Sequence, residues 1–159
     1  MFKYLMMTPA YQKWCRSVSS DQCDMVGYTS YLMRVDRMIC VIDILWPDFI
    51  EKDGLVLRSS HIPDNWDSFM EQSRKANWSS QQLEYVINHL HLEDIFLNDP
   101  DRDKISNEVY IFLADTIASA WKSRLQGLFP EKDFDVGVTD RDTSPEIYAY
   151  QTFQSAESV

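Results

Sequence analysis

The chain has 159 residues, of which 45% are hydrophobic, 13% aromatic and 25% charged, which is the length of one domain with enough apolar side chains to bury a core. Only 4 Gly and 6 Pro stand against 5 Trp, 8 Tyr and 8 Phe, and this excludes collagenous, linker-like and disordered classes. Fifteen basic and 25 acidic residues give a net charge of −10, a field that repels a phosphate backbone and argues against direct nucleic-acid binding.

Residues 1 to 28 yield no firm element, and Met1 to Gln12 lacks the continuous apolar stretch and small-residue cleavage site of a secretory signal. The most apolar run, Met38 to Trp46, is interrupted by Asp43 and falls far short of the ~20 residues that cross a bilayer, so no membrane association is expected. Cys15, Cys23 and Cys40 are an odd set without C-x-x-C spacing, which reads as reduced thiols in a cytoplasmic protein, with Cys40 a small core residue. From Thr29 to Trp46, the residues Leu32, Val35, Ile39, Ile42 and Leu45 or Trp46 recur at helical spacing and predict one amphipathic helix with that stripe inward, stopped by Pro47, although the β-branched cluster Ile39, Val41, Ile42 and Ile44 also suits a buried strand. Lys52-Asp53-Gly54 between two apolar tetrads predicts a tight hairpin. Two short helices follow, one from Pro63-Asp64 to about Lys75 and one from a capping box at Ser79 and Gln82, with Leu83, Val86 and Ile87 on its stripe. Ile105 to Leu128 holds helical spacing throughout and predicts the long central helix, capped by Asp103 or Ser106 and ended by Pro130. Alternation at Phe134, Val136 and Val138, and again from Ile147 to Thr152 or Phe153, predicts a closing hairpin. Residues 154 to 159 read as a frayed tail of a single domain spanning 1 to 159. The expected fold class is α+β, with the helices packed on a small, mostly antiparallel sheet built from the two hairpins.

The charge is lopsided. Residues 1 to 60 hold seven basic and seven acidic residues, so the whole excess of −10 lies beyond residue 60. It gathers in two runs, Glu93 to Asp103 and Glu131 to Glu146. Such runs are commonly solvated surface; they also suit a docking face for a basic protein. On that second reading the candidate interface residues are Asp94, Asp99, Asp101, Asp103, Asp133, Asp135, Asp140, Asp142, Glu146, Tyr148, Tyr150 and Trp78, with aromatics as anchors and carboxylates steering association. Among the tryptophans, Trp46, Trp66 and Trp121 fall on apolar stripes and are expected in the core, whereas Trp14 and Trp78 have no assigned home.

Catalytic signatures are sparse. His89, His91 and Glu93 would share one face of a strand and offer zinc or iron a two-imidazole, one-carboxylate set. If the helix from Ser79 continues, the imidazoles point about 200° apart, and structural histidines at a helix end are then the favoured reading. Asp99 to Asp103 alternates carboxylates like the start of a calcium loop, but Lys104 and Tyr110 occupy the positions of its glycine and final glutamate. No G-x-S-x-G elbow, Walker loop or dinucleotide fingerprint is present, so no cofactor is expected.

Trp46-Pro47-Asp48-Phe49, Asn88 to Leu92, Ser119-Ala120-Trp121-Lys122 and Phe129-Pro130, in that order, resemble small uncharacterised bacterial proteins, some of them linked to immunity or defence genes. The resemblance carries no active-site residues. It adds to the binding-protein reading, and the lopsided −10 charge, the aromatic content and the missing catalytic signatures lead to the expectation of a non-enzymatic binding protein, an immunity-type inhibitor of a basic, nuclease-like toxin. A nucleic-acid mimic acting against defence systems, and a hydrolase using the His89, His91 and Glu93 set, are the alternatives.

Overall fold

In the computed structural model, which describes residues 2 to 152, the chain runs through α1 (Phe2–Met6), α2 (Pro9–Cys15), α3 (Met25–Leu32), α4 (Val35–Leu45), β1 (Phe49–Lys52), β2 (Leu55–Arg58), α5 (Trp66–Lys75), α6 (Ser80–Ile87), β3 (Leu90–His91), α7 (Leu92–Ile95), α8 (Asn107–Leu128), β4 (Phe134–Thr139) and β5 (Glu146–Gln151). Phe153 and the tail at 154 to 159 lie outside the described residues. The class is α+β. Its main core forms where α8 turns Ala114, Ile117, Ala118, Trp121 and Leu125 onto Ile147 and Ala149 of β5, because these small and large residues recur at three- and four-residue intervals along one side of the helix. Trp121 is fully buried, and its indole N–H donates to the Ile44 carbonyl at 2.8 Å. Ser106 stands at the N-cap of α8 as anticipated, without a side-chain capping hydrogen bond.

Both hairpins form. Asp53 and Gly54 take φ values of 52° and 79°, the left-handed pair a two-residue turn requires, and set Lys52 opposite Leu55. The capping box at Ser79 and Gln82 is complete. The hairpins do not join into one sheet, however: β1 and β2 form a two-stranded sheet, and β5 is flanked by β4 and by the short β3 in a three-stranded one. α6 bridges the two. Its Glu84 accepts from the Val56 N–H of β2 at 2.6 Å and the Gln151 N–H of β5 at 2.5 Å, and also from the Gln151 side-chain amide. One turn later, Asn88 donates to the carbonyls of Val56 and Ala149 and accepts from the Arg58 N–H. Two side chains at i and i+4 thus take the place of a missing ladder between β2 and β5. Leu83 and Ile87 of the same helix close a second cluster with Leu55, Leu57 and Trp66.

The N-terminal half departs from expectation in four respects. The single helix from Thr29 to Trp46 is two helices, because Met33 and Arg34 are extended, and the Arg37 guanidinium takes up the Leu32 carbonyl left free at the break (3.1 Å). The break lets Tyr28 of α3 pack with Tyr11 and Trp14 in a third cluster, while Ile44 and Leu45 tie α4 to the main core. Of the stripe expected to face inward, Leu45 reaches the core, while Leu32, Val35, Ile39 and Ile42 face out. Trp46 is half-exposed, with the Arg124 guanidinium over its ring at 5.7 Å, and Trp14 is the buried one. Cys15 and Cys23 form a disulfide, and Cys40 is an exposed free thiol rather than a core residue. The disulfide removes the thiol argument for a cytoplasmic address. Among the described residues no helix is long and apolar enough to cross a membrane.

Candidate functional site: a tyrosine and carboxylate face

The three-stranded sheet has one face toward α8 and one away from it. Alternation along β5 puts Ile147 and Ala149 in the core and Glu146, Tyr148 and Tyr150 on the far face. The register places Thr139 opposite Glu146, Gly137 opposite Tyr148 and Asp135 opposite Tyr150, while His91 of β3 stands opposite Glu146. Tyr85, from the side of α6 that turns away from the second cluster, lies against these residues. The Tyr85 and Tyr148 rings are 5.6 Å apart, as are Tyr148 and Tyr150, and His89 continues the row at 6.4 Å from Tyr85 and 4.9 Å from His91. Trp78 and Tyr150 line a shallow pocket at its other end.

Gly137 is what makes room. A Cβ there would stand 2.6 Å from the Tyr148 hydroxyl and 2.9 Å from its ring carbon, so only glycine lets the phenol lie flat across β4. Asp135 organises the hydroxyls: it accepts from Tyr150 at 2.7 Å and from Tyr148 at 3.5 Å. That hydrogen bond, with some burial, pushes the Tyr150 phenol up to about 12. Burial first, and Asp135 second, raise Tyr148 as well; burial and a hydrogen bond to Glu146 raise Tyr85. All three phenols therefore stay neutral donors at physiological pH. Among the described residues no lysine or arginine lies over these three rings, whereas Trp46, Trp66 and Trp121 each carry one.

His89 stands just past the C-terminus of α6, bonded to its last turn, whereas His91 lies on β3. α6 stops at Ile87, so His89 and His91 are not on a helix, and their rings meet edge to face. His89 donates through Nδ1 to the Val86 carbonyl at 2.6 Å, which fixes the orientation of its ring. The carboxylate beside His91 is Glu146, at 3.6 Å, and not Glu93. Glu93 lies in α7 and lines a separate pocket with Arg102, Asp103 and Tyr110. Among the described residues no three His, Cys, Asp or Glu side chains are arranged to hold a metal ion.

Of the twelve interface candidates, the structure brings Asp135, Glu146, Tyr148, Tyr150 and Trp78 onto or beside this face. Glu146 is only 8% exposed, so it supports the face from below rather than presenting a charge. Asp140, held at φ 47°, starts the β4–β5 turn close enough to raise Tyr85; Asp142 is exposed at its tip, and Asp133 is exposed just before β4. The other run is elsewhere. Asp94 is exposed on α7, Asp99 accepts from the Asp101 N–H at 2.8 Å, Asp101 pairs with Lys104 at 2.6 Å and Asp103 with Arg102 at 3.5 Å. The two runs meet at the pocket where Asp103 and Glu93 approach Thr143 and Pro145 of the hairpin turn. Sequence reasoning missed Tyr85 and Gly137. The signal for Tyr85 was an aromatic lying off the apolar stripe of an amphipathic helix; Gly137, in the middle of a strand, signalled a close approach. No family model, curated protein or solved structure matches the chain.

Proposed function

We propose that the chain is a non-enzymatic, acidic protein-binding module, and that the tyrosine and carboxylate face receives arginine or lysine side chains of a basic protein. The observation that carries this reading is the row of half-buried rings, Tyr85, Tyr148 and Tyr150, where Asp135 accepts from the phenols of Tyr148 and Tyr150 and where, among the described residues, no lysine or arginine sits over the rings. Stacked rings beside an unneutralised carboxylate suit a guanidinium, which gains from the ring faces and from the charge together. The excess of −10 beyond residue 60 would steer such a partner in and speed association. An immunity-type inhibitor of a nuclease-like toxin, working in the cytoplasm, is the specific form of this proposal; the net charge of −10 opposes direct binding of nucleic acid.

The test is capture of host proteins on untagged wild-type chain at low salt, with Tyr148→Ala and Asp135→Asn as parallel baits. A basic protein is expected on the wild type, released by a salt gradient, with affinity reduced about thirtyfold on Tyr148→Ala, the effect of losing a hot spot worth about 2 kcal/mol. Equal capture on all three baits would remove this face from the proposal. Displacement of the captured protein by DNA or RNA would favour the mimic over the inhibitor.

A further inference from the structure

α4 is held to the core by Ile44 and Leu45 at one end and one side, which turns the rest of its apolar residues to solvent. Val35 is 80% exposed, Ile39 63% and Ile42 53%, with Met38 beside them. These positions are i, i+3, i+4 and i+7, the seam by which one helix docks on another. Among the described residues nothing covers this seam, and three features of the chain say what does.

We infer that the occupant is a second copy of the chain, packed antiparallel across a two-fold axis between Met38 and Ile39; this rests on α4 alone and not on the tyrosine face. First, the stripe is its own complement about that midpoint: Val35 meets the partner's Ile42, and Met38 meets the partner's Ile39, so an isologous contact closes without a gap. Second, Asp36 and Asp43, seven residues apart, share one flank of the stripe, and the Arg34 guanidinium is held on that flank over Asp36 at 3.2 Å. Antiparallel pairing carries the partner's Asp43 to the same height, so each Arg34 lies between two carboxylates of opposite chains. Third, residues 1 to 60 are neutral as a set, seven basic and seven acidic, while the rest of the chain holds the entire −10. Two copies meeting at α4 therefore bring together segments that add no net charge of their own. The same carboxylate flank and net charge oppose burial of α4 in an anionic lipid surface. At about 1.5 Å per residue the helix offers a seam of about 16 Å, which places the dimer at the small end of stable interfaces and in the micromolar range.

Sedimentation equilibrium of the full chain across the micromolar range should show a monomer–dimer equilibrium. Ile39→Asp and, independently, Ile42→Asp should weaken it by about a hundredfold or more, as loss of a central apolar anchor does, with unchanged thermal melting because both sites are exposed. Geometry is read by oxidative cross-linking on a Cys40→Ser background. Val35→Cys chains mixed with Ile42→Cys chains should cross-link, whereas either alone should not, because like residues then stand about 10 Å apart along the axis. A chain monomeric throughout the range, a dimer indifferent to Ile39→Asp, cross-links within a single variant, or binding of the monomer to zwitterionic vesicles through α4 would each overturn the inference.

Discussion

Glu84 is fully buried, and three N–H groups converge on its carboxylate, two from the backbone of Val56 and Gln151 and one from the Gln151 side chain. Glutamine in its place would aim an NH2 at one of those donors and leave both unsatisfied, so Glu84→Gln should destabilise the chain by about 1–3 kcal/mol in urea unfolding. Burial outweighs the hydrogen bonds and raises the Glu84 pKa above its ordinary value of 4.5. The folded chain then holds this proton more tightly than the unfolded one, and stability is lost as pH rises from the unfolded value through the folded value. Glutamine does not titrate. The margin of the wild type over the variant is therefore expected to be widest in acid and to narrow toward neutral pH; a margin that widened would mean that the three donors dominate the titration.

Among the elements, β4 shows how a single missing side chain shapes a surface. Gly137→Ala leaves the Val138–Ile147 and Val136–Ala149 pairs in place and should change stability by less than about 1 kcal/mol, since the strand conformation suits alanine. The new methyl would stand 2.6 Å from the Tyr148 hydroxyl and 2.9 Å from its ring carbon, so the ring has to shift within its stack with Tyr85 and Tyr150. Tyrosine signals in near-ultraviolet circular dichroism should change while the melting temperature holds, and affinity for the basic partner should fall with them. Intact affinity would show that the partner does not touch Tyr148.

For the whole molecule, three separate apolar clusters imply uneven stability. The N-terminal cluster of Tyr11, Trp14 and Tyr28 is closed by the Cys15–Cys23 disulfide and reaches α8 through the Lys3–Glu108 ion pair at 3.0 Å and the Tyr4–Phe112 stack at 4.1 Å. Opening a loop of that size releases about 2–3 kcal/mol of constraint. Cys15→Ser should speed amide exchange in α1 to α3 and leave α8 as it was; equal acceleration in α8 would make the clusters one cooperative unit. A thiol assay on chain isolated without reductant should find Cys40 alone reactive before reduction and all 3 cysteines after it.

What the sequence determined by itself were the features set by near neighbours: the Asp53-Gly54 turn, the capping box at Ser79, the long helix to Leu128 and the alternation of β4 and β5. Each follows from steric and hydrogen-bonding rules within a few residues. The α+β class came with them, and so did half of the candidate face, because Tyr148, Tyr150 and Asp135 lie on strands whose alternation is readable. Tertiary structure decided the rest. Periodicity marks a stripe on α4 but carries no sign for inward or outward, and only the anchoring of Ile44 and Leu45 chose it. The polar links that Glu84 and Asn88 make from the end of α6 to the two sheets join residues 28 to 67 positions apart, and the meetings of Tyr85 with Tyr148 and of His91 with Glu146 are likewise distant in sequence. The Cys15–Cys23 bond is closer in sequence, yet it too depends on α2 and the following loop packing on α3. Such pairings arise from the packing of whole elements, for which no local pattern in the chain provides a signal.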